Sequence, residues 1–217
     1  MDLHVRLSCG GDPPELLIGM ARHLGYSLIA LSLEKEPRGA PLEGLRSLSR
    51  EAGLDLAFRL DLKPSSPGEL KAWLSRFRRR FEVIAVYCGN VAVARTAARD
   101  RRIDVTFYDL ENLPSLLDEG QMSLLQEHGK HIEFNLSDML GLPVDKQWKA
   151  LWSYRYAFKE AKRRGIPIVF SSGASRITDM RAPRELSAVA SMLLEDASLA
   201  RSSVSLIPAR IEDENRG

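Results

Sequence analysis

The feature of this sequence that most constrains its fold is the repeated alternation of short apolar runs with amphipathic stretches. Each short run is rich in Val, Ile, Leu or Phe, which predicts a buried β-strand, and the stretch that follows has helical periodicity. Strands that alternate with helices in this way favour parallel β-α units. The predicted strands are Leu3–Leu7, Ser27–Leu33, Leu54–Leu62, Phe81–Cys88, Asp104–Tyr108, His131–Asn135, Pro167–Ser171 and Ser203–Ile207.

The stretches between these runs carry signals for helix starts and stops. Pro13–Leu24 begins with two prolines, which are tolerated in a first helical turn. Lys146–Arg164 is followed by Gly165, a residue suited to a helix C-terminus. The other predicted helices are Leu42–Ala52, Pro67–Arg79, Val91–Arg101, Met122–His128 and Pro183–Leu194.

Two ways of arranging these units compete. A doubly wound open sheet normally carries a glycine-rich phosphate loop after its first strand, and the turn Ser8-Cys9-Gly10-Gly11-Asp12 lacks the GxGxxG spacing. A closed (β/α)8 barrel of the TIM type fits in 217 residues when its loops are short. We therefore predict a single α/β barrel domain over residues 1–208, without its last helix, and a flexible charged tail over residues 209–217.

The composition excludes several classes of protein. A hydrophobic fraction of 44% is enough for a buried core. No apolar run approaches the ~18 residues of a membrane span, and the N-terminus does not have the pattern of a secretory signal, so no membrane partner is expected. The two cysteines, Cys9 and Cys88, make neither a disulfide framework nor a zinc site, which favours a reduced cytoplasmic setting.

Polar residues follow most of the predicted strands, at the end where barrels of this type carry their functional groups. This set is rich in hydroxyl, amide and Arg groups but poor in His, so it does not indicate a hydrolytic metal cluster. Its members are Arg6, Ser8, Asp61, Lys63, Tyr87, Asn90, Tyr108, Asp109, Glu111, Asn112, Asn135, Ser137, Asp138 and residues 171–175.

The first strand resembles the start of many metal-dependent phosphoesterases, in which Asp-x-His projects towards a metal. Here Asp2 and His4 are followed by Arg6, where a second imidazole would be expected. A cation beside a lone imidazole repels a metal ion, so we expect His4 to be a buried, hydrogen-bonded strand residue and the chain to bind no metal. A metal-dependent phosphoesterase of this barrel type remains the alternative hypothesis.

The segment IPIVFSSGASRITDMRAPREL, residues 166–186, is a candidate phosphate-binding region. A strand that ends in small hydroxyl residues and glycine exposes backbone N–H groups, and a helix start adds a dipole that favours anions. Ser171, Ser172, Arg176, Arg181 and Arg184 are the candidate RNA-contact residues here. A simple capped turn with solvated arginines explains the pattern equally well, and an enzyme acting on a small phosphorylated metabolite is a further alternative.

Two clusters of basic residues lie at successive predicted helix ends. The first contains Arg76, Arg78, Arg79 and Arg80, and the second is Arg99–Arg102. Both precede strands, so they should be adjacent on the lower rim, the end of the barrel opposite the candidate functional residues. Such a patch could track an RNA backbone. The net charge is only +2, and solvated helix ends explain the clusters as well. No run of exposed aromatic residues accompanies the clusters, so base stacking is not indicated.

Three stretches resemble the archaeal ribonuclease P protein component 3 family, which is related to a eukaryotic subunit shared by ribonucleases P and MRP. They are HIEFNLSDML at residues 131–140, SSGA at residues 171–174 and MRAPREL at residues 180–186. In the last, Arg181, Pro183 and Leu186 fit the family's Arg-x-Pro-x-x-Leu pattern. The closing VSLIP also fits, whereas Ala182 stands where the family often has Ser, which puts one hydroxyl contact in doubt.

The resemblance implies a barrel akin to the histidinol-phosphatase-like (PHP) phosphoesterases with the metal ligands absent, and a chain that performs no chemistry itself. In such ribonucleoprotein particles, magnesium bound by the ribonuclease P RNA supports removal of the 5′ leader from precursor tRNA. The protein pairs with component 2, as a dimer of such heterodimers, and contacts precursor tRNA only indirectly. Either rim could bind RNA: Arg6, Ser171, Ser172, Arg176, Arg181 and Arg184 on one, or Arg76, Arg78 and Arg79 on the other.

Overall fold

The computed structural model describes residues 1–8, 10–33, 42–205, 208–209 and 211. Seven strands form one parallel sheet in which each strand pairs with the next along the chain. They are β1 (Asp2–Arg6), β2 (Leu28–Leu33), β3 (Asp55–Leu62), β4 (Val83–Cys88), β5 (Val105–Tyr108), β6 (His131–Asn135) and β7 (Ile168–Ser171). The predicted α/β barrel is confirmed, with seven strands in the described residues where eight were predicted.

Helices follow the strands and cover the outside of the sheet. They are α1 (Pro14–His23), α2 (Leu42–Glu51), α3 (Pro67–Phe77), α4 (Val91–Arg99), α5 (Leu113–Leu116), α6 (Glu119–Glu127), α7 (Leu136–Leu140), α8 (Val144–Arg164), α9 (Pro183–Leu194) and α10 (Ala197–Val204). The predicted helices are present with small changes at their ends. No helix in the described ranges has the length and apolar character needed to cross a membrane.

The predicted eighth strand, Ser203–Ile207, is wrong where the structure describes it. Ser203 and Val204 end helix α10, and Leu206 and Ile207 lie outside the described residues. Asp196 caps this helix by accepting hydrogen bonds from the N–H groups of Ser198 and Leu199, both 3.0 Å long. The buried residues Ala200, Ser203 and Val204 have helical spacing, so packing against α9 overrides the local apolar run. Two helices thus follow β7 where one helix and an eighth strand were expected.

A turn after β7 closes the barrel onto β1. Ala174 forms an isolated parallel bridge with Val5, and the N–H of Arg6 donates to the carbonyl of Ala174 at 2.7 Å. Gly173 has φ +63°, and a Cβ atom added there would lie 2.9 Å from Cβ of Asn135. Only glycine tolerates both the positive φ and the close approach to Asn135, so the SSGA turn that closes the barrel needs a glycine at this position.

The inside of the barrel changes character along its length. The inner cluster near the N-terminal ends of the strands is apolar and includes Leu28, Ala57, Val83, Val105 and Val169. Ile211 belongs to this cluster and is 2% exposed. Residues 212–217 of the predicted flexible tail lie outside the described residues, so flexibility there stays a prediction.

Candidate functional site

The upper half of the barrel interior, near the C-terminal ends of the strands, contains a buried arginine. Arg59, on β3, is fully buried. Its guanidinium donates to both carboxylate oxygens of Glu133, at 2.7 and 2.5 Å, and its Nε donates to Asp61 at 2.6 Å. Nη1 also donates to the carbonyl of Leu3 at 2.9 Å. Neither Arg59 nor Glu133 was predicted as a site residue, although the charged residues at alternate positions of β3 are a visible signal.

His4 lies in the same buried network, as predicted. Its Nδ1 is 2.9 Å from Oδ1 of Asn135, and its Nε2 is 2.9 Å from Oδ2 of Asp61. The ring packs edge-on against Phe107 at 5.7 Å. The register of β1 against β2 shifts between Asp2 and Val5, an irregularity of the strand that contains His4.

The charges of this network shift the pKa values of its members. Burial would raise the pKa of Glu133, but Arg59 and His4 outweigh it and lower the pKa to about 2. The pKa of Asp61 is held well below its usual range in the same way. Burial and Arg59 would lower the pKa of His4, but the carboxylates of Asp61 and Glu133 outweigh them, so the pKa is raised above its usual value. Both carboxylates are therefore ionised at neutral pH.

The buried network does not fit a metal ion. Within the described residues, no group of three or more His, Cys, Asp or Glu side chains is arranged to hold one. The physical reason is Arg59, which occupies the space between Asp61 and Glu133 and takes up their lone pairs. A divalent ion here would have to displace a permanent buried cation.

Other predicted residues line an open pocket at the upper mouth of the barrel, with a volume of about 390 Å³. Tyr87 donates to Asp109 at 3.0 Å, and burial together with this carboxylate raises the pKa of Tyr87 to about 12. The pocket is lined by His4, Arg6, Asp61, Lys63, Tyr87, Phe107, Tyr108, Asp109, Leu110 and Asp138. Asn90 instead caps α4, accepting from the N–H of Val93 at 2.9 Å.

Arg6 reaches this mouth but is held by neighbouring groups. Its Nη1 lies 2.6 Å from Asp138, and its Nε is 3.1 Å from His4 Nε2. Burial lowers the pKa of Arg6, but the bond to Asp138 outweighs it and raises the pKa above its usual value. The guanidinium of Arg6, which was predicted to contact RNA, thus forms an ion pair within the protein.

The predicted RNA contacts of Ser171 and Ser172 need correction, because both residues are fully buried. Ser171 donates to Glu133 at 2.9 Å. Ser172 accepts from the N–H of Ala174 at 3.1 Å, and its own N–H donates to Asp2 at 3.2 Å. Their small hydroxyl groups complete the closing turn, and the turn faces the barrel interior instead of an external anion.

The arginines after this turn differ in how many hydrogen bonds they make to protein groups. Arg181 donates to the carbonyls of Thr178 and Met180, both at 2.8 Å, and Arg176 is exposed with a 3.4 Å bond to the Gly10 carbonyl. Arg184 is exposed and makes no hydrogen bond or ion pair in the part of the chain described. It lines a groove of about 470 Å³ with Arg201, which was not predicted. We call Arg176, Arg184 and Arg201 the upper arginines.

The two basic clusters meet on the lower rim, as predicted. Arg102 donates to Ser75 Oγ at 3.1 Å and pairs with Asp100 at 2.7 Å, so the end of α3 touches the loop after α4. Arg78 forms a two-bond ion pair with Asp104, at 3.1 and 3.3 Å. The remaining arginines of the two clusters are exposed, namely Arg76, Arg79, Arg80, Arg99 and Arg101. We call these five the lower basic rim.

Helix α8 carries an exposed apolar row that was not predicted. Val144, Trp148, Trp152 and Tyr156 are 82, 63, 55 and 56% exposed, respectively. They recur every fourth residue, so they lie along one side of the helix. The i, i+4 spacing is visible in the sequence, but which apolar side of α8 packs on the barrel is decided by tertiary structure. We call these four residues the aromatic ridge.

Comparison with known sequences shows the family. Residues 1–216 match the family model described as RNase P subunit p30. Ribonuclease P protein component 3 from Methanococcoides burtonii is 26% identical over 207 residues, covering 95% of this chain and 84% of that protein. The protein of the same name from Methanothermobacter thermautotrophicus is 26% identical over 221 residues, covering 99% and 89%.

Comparison with solved structures confirms the predicted class of barrel. A chain in the cryo-EM structure of archaeal ribonuclease P with mature tRNA has a TM-score of 0.87 at 19% identity, covering 98% of this chain and 90% of that chain. Histidinol phosphate phosphatase from Lactococcus lactis has a TM-score of 0.59 at 10% identity, covering 94% and 93%. Because the family match spans almost the whole sequence, this chain belongs to the RNase P subunit p30 family.

Proposed function

We propose that this chain is a non-catalytic protein subunit of ribonuclease P, which removes the 5′ leader from precursor tRNA. The observation that carries this proposal is the family match over residues 1–216. Arg59 supports the non-catalytic part, because it occupies the polar end of the barrel where related barrels do their chemistry. In this proposal the chain binds no cofactor, and the magnesium needed for cleavage is held by the RNA.

The contribution of the chain is electrostatic. Folding the catalytic RNA brings phosphates together, and each protein guanidinium that replaces a condensed cation releases it to solvent. The protein subunit thereby lowers the magnesium concentration that the RNA needs for activity. Arginine suits this role because its planar fork matches two phosphate oxygens.

We assign the RNA backbone contact to the lower basic rim. It presents five exposed guanidinium groups from two adjacent helix ends. On the upper side Arg6 and Arg181 are only partly exposed, which leaves three exposed upper arginines. Density of exposed positive charge therefore favours the lower rim.

The partners of the chain are proposed from its family. We propose direct binding to ribonuclease P RNA and to protein component 2, in a heterotetramer with two copies of each, and indirect contact with precursor tRNA in the cytoplasm. The chain in the solved archaeal ribonuclease P shares the fold, which supports this assembly.

The test is reconstitution of leader removal from the catalytic RNA, component 2 and this chain, measured against magnesium and salt. The variant Arg79→Ala/Arg99→Ala/Arg101→Ala should raise the magnesium concentration for half-maximal activity several-fold. It should also reduce the slope of log affinity against log salt by roughly 0.7–0.9 for each phosphate that the variant no longer neutralises. The chain without RNA should cleave nothing, and cleavage by the chain alone would overturn the non-catalytic assignment.

A matched control removes the three upper arginines by Arg176→Ala/Arg184→Ala/Arg201→Ala. Both variants lose three positive charges, so a difference between them reports position and not net charge. A larger effect from the upper variant would move the RNA contact to that rim. Wild-type salt dependence in both would remove both surfaces from RNA binding.

A further inference from the structure

Helix α8 has two apolar sides, and only one is covered within the described residues. Its inner side packs on the barrel through Tyr154, Ala157, Phe158 and Ala161. The aromatic ridge runs along another side and is more than half exposed at every position. Contiguous exposed apolar surface of this kind marks an interaction site.

The geometry of the ridge fits a protein better than RNA bases. The rings of Trp148 and Trp152 are 5.8 Å apart and inclined at 83°, so they meet edge to face and share no common flat surface. Successive bases stack on exposed ring faces, which this arrangement does not line up. Val144 has no ring to offer. Trp and Tyr anchors set among aliphatic side chains are typical of protein–protein contacts.

The charge beside the ridge identifies the chemistry of the partner. A groove of about 650 Å³ between α8 and the end of α9 is lined by Arg155, Lys159, Lys162 and Arg163. Three of these are ion-paired: Arg155 with Glu195, Lys162 with Asp196 at 2.9 Å and Arg163 with Glu160 at 2.8 Å. Arg155 also lies over the ring of Trp152 at 5.7 Å. Lys149 and Lys159 are exposed and form no ion pair in the ranges that the structure describes. A second copy of this chain would bring the same two unpaired lysines, whereas a partner that presents carboxylates would balance them.

We propose that the aromatic ridge and its basic groove form the docking surface for a different protein chain, one that presents an apolar helix or strand face flanked by Asp and Glu. Trp148 and Trp152 anchor the apolar face, and Lys149 and Lys159 pair with its carboxylates. This inference rests on the proposed function, since it assigns the protein-binding surface of the same subunit. It separates the protein contact on α8 from the RNA contact on the lower basic rim.

The experiment measures binding of the full chain to purified component 2 by calorimetry, and to the catalytic RNA in a separate titration. Trp148→Ala/Trp152→Ala should weaken binding of component 2 by at least about 30-fold, the loss that corresponds to an interface hot spot. Lys149→Glu/Lys159→Glu, which touches no buried group, should also weaken it and should do so most at low salt. Affinity for RNA should stay unchanged in the Trp variant.

A matched control is Leu16→Ala/Val91→Ala, which removes two comparably exposed apolar side chains, 53 and 47% exposed, from other helices. This control should bind component 2 like the wild type. Equal binding by the ridge variant and the wild type would overturn the docking surface while leaving the RNA role intact. Loss of RNA affinity with full binding of component 2 would show that the ridge is a base-stacking surface and would equally overturn the proposal. Failure of the proposed function would instead be seen in the wild type, as no effect on the magnesium requirement.

Discussion

At the scale of single residues, Arg59 decides what the barrel interior can do. It bonds Glu133 and Asp61 in a fully buried space, so its charge is balanced locally and not by solvent. Burying charges is costly, and such a network holds only when each member keeps its partners. Its stabilising role is therefore visible when one member is removed.

We expect Arg59→Met to lower the free energy of unfolding by about 3–5 kcal/mol, because Glu133 and Asp61 then lose their shared buried cation. Urea denaturation monitored by circular dichroism measures this. The control is Arg50→Met, which breaks the exposed ion pair with Glu43 and should cost about 1 kcal/mol or less. Similar losses in both variants would contradict the role given to Arg59.

At the scale of structural elements, the turn from Ser171 to Ala174 acts as the joint between the two ends of the sheet. Ser171 and Ser172 bond inward, Gly173 adopts a left-handed conformation, and Ala174 bridges to β1. This explains how a sequence suited to phosphate binding serves a structural purpose.

We expect Gly173→Ala to destabilise the protein by about 1–3 kcal/mol. Alanine disfavours the positive φ of this position, and its methyl group would collide with Asn135. Thermal unfolding measures the change. Gly129→Ala is a suitable control, because its φ is +61° but no atom lies within 4 Å of the added Cβ. A loss no larger than in the control would show that the close approach to Asn135 is unimportant.

Elements could be predicted from the sequence where local periodicity and packing agree, as in the seven strands and the helix before Gly165. Prediction failed at Ser203 and Val204, because an apolar run this short does not distinguish a strand from a buried helix turn. The site was less accessible to prediction. Nothing local shows that Ser171 points inward, that Arg59 meets Glu133 from a strand 74 positions away, or that Trp148 is left exposed.

At the scale of the whole molecule, the buried network joins strands that are far apart in the chain. β1, β3, β6 and β7 contribute His4, Arg59, Glu133 and Ser171. The ionisation of its carboxylates is therefore coupled to global folding and not to the opening of a single loop.

We expect the free energy of unfolding to be independent of these carboxylates above about pH 5 and to fall as the pH drops from about 4.5 towards 2. The pKa of Glu133 is lowered from its ordinary value of 4.5 to about 2, and that of Asp61 is also lowered, so the unfolded chain binds protons before the native one does. Urea midpoints between about pH 7 and about pH 2.5 measure this. A constant midpoint between about pH 5 and about pH 3 would contradict it.

The guanidinium of Arg59 is attached to β3 by covalent bonds, which has a consequence for the interior of the barrel. The counter-charge inside the barrel cannot dissociate, be chelated or be exchanged for another ion. This part of the fold therefore does not depend on the supply of a free ion. In the function proposed above, such an interior leaves the protein ready to hold RNA at magnesium concentrations where RNA tertiary structure loosens.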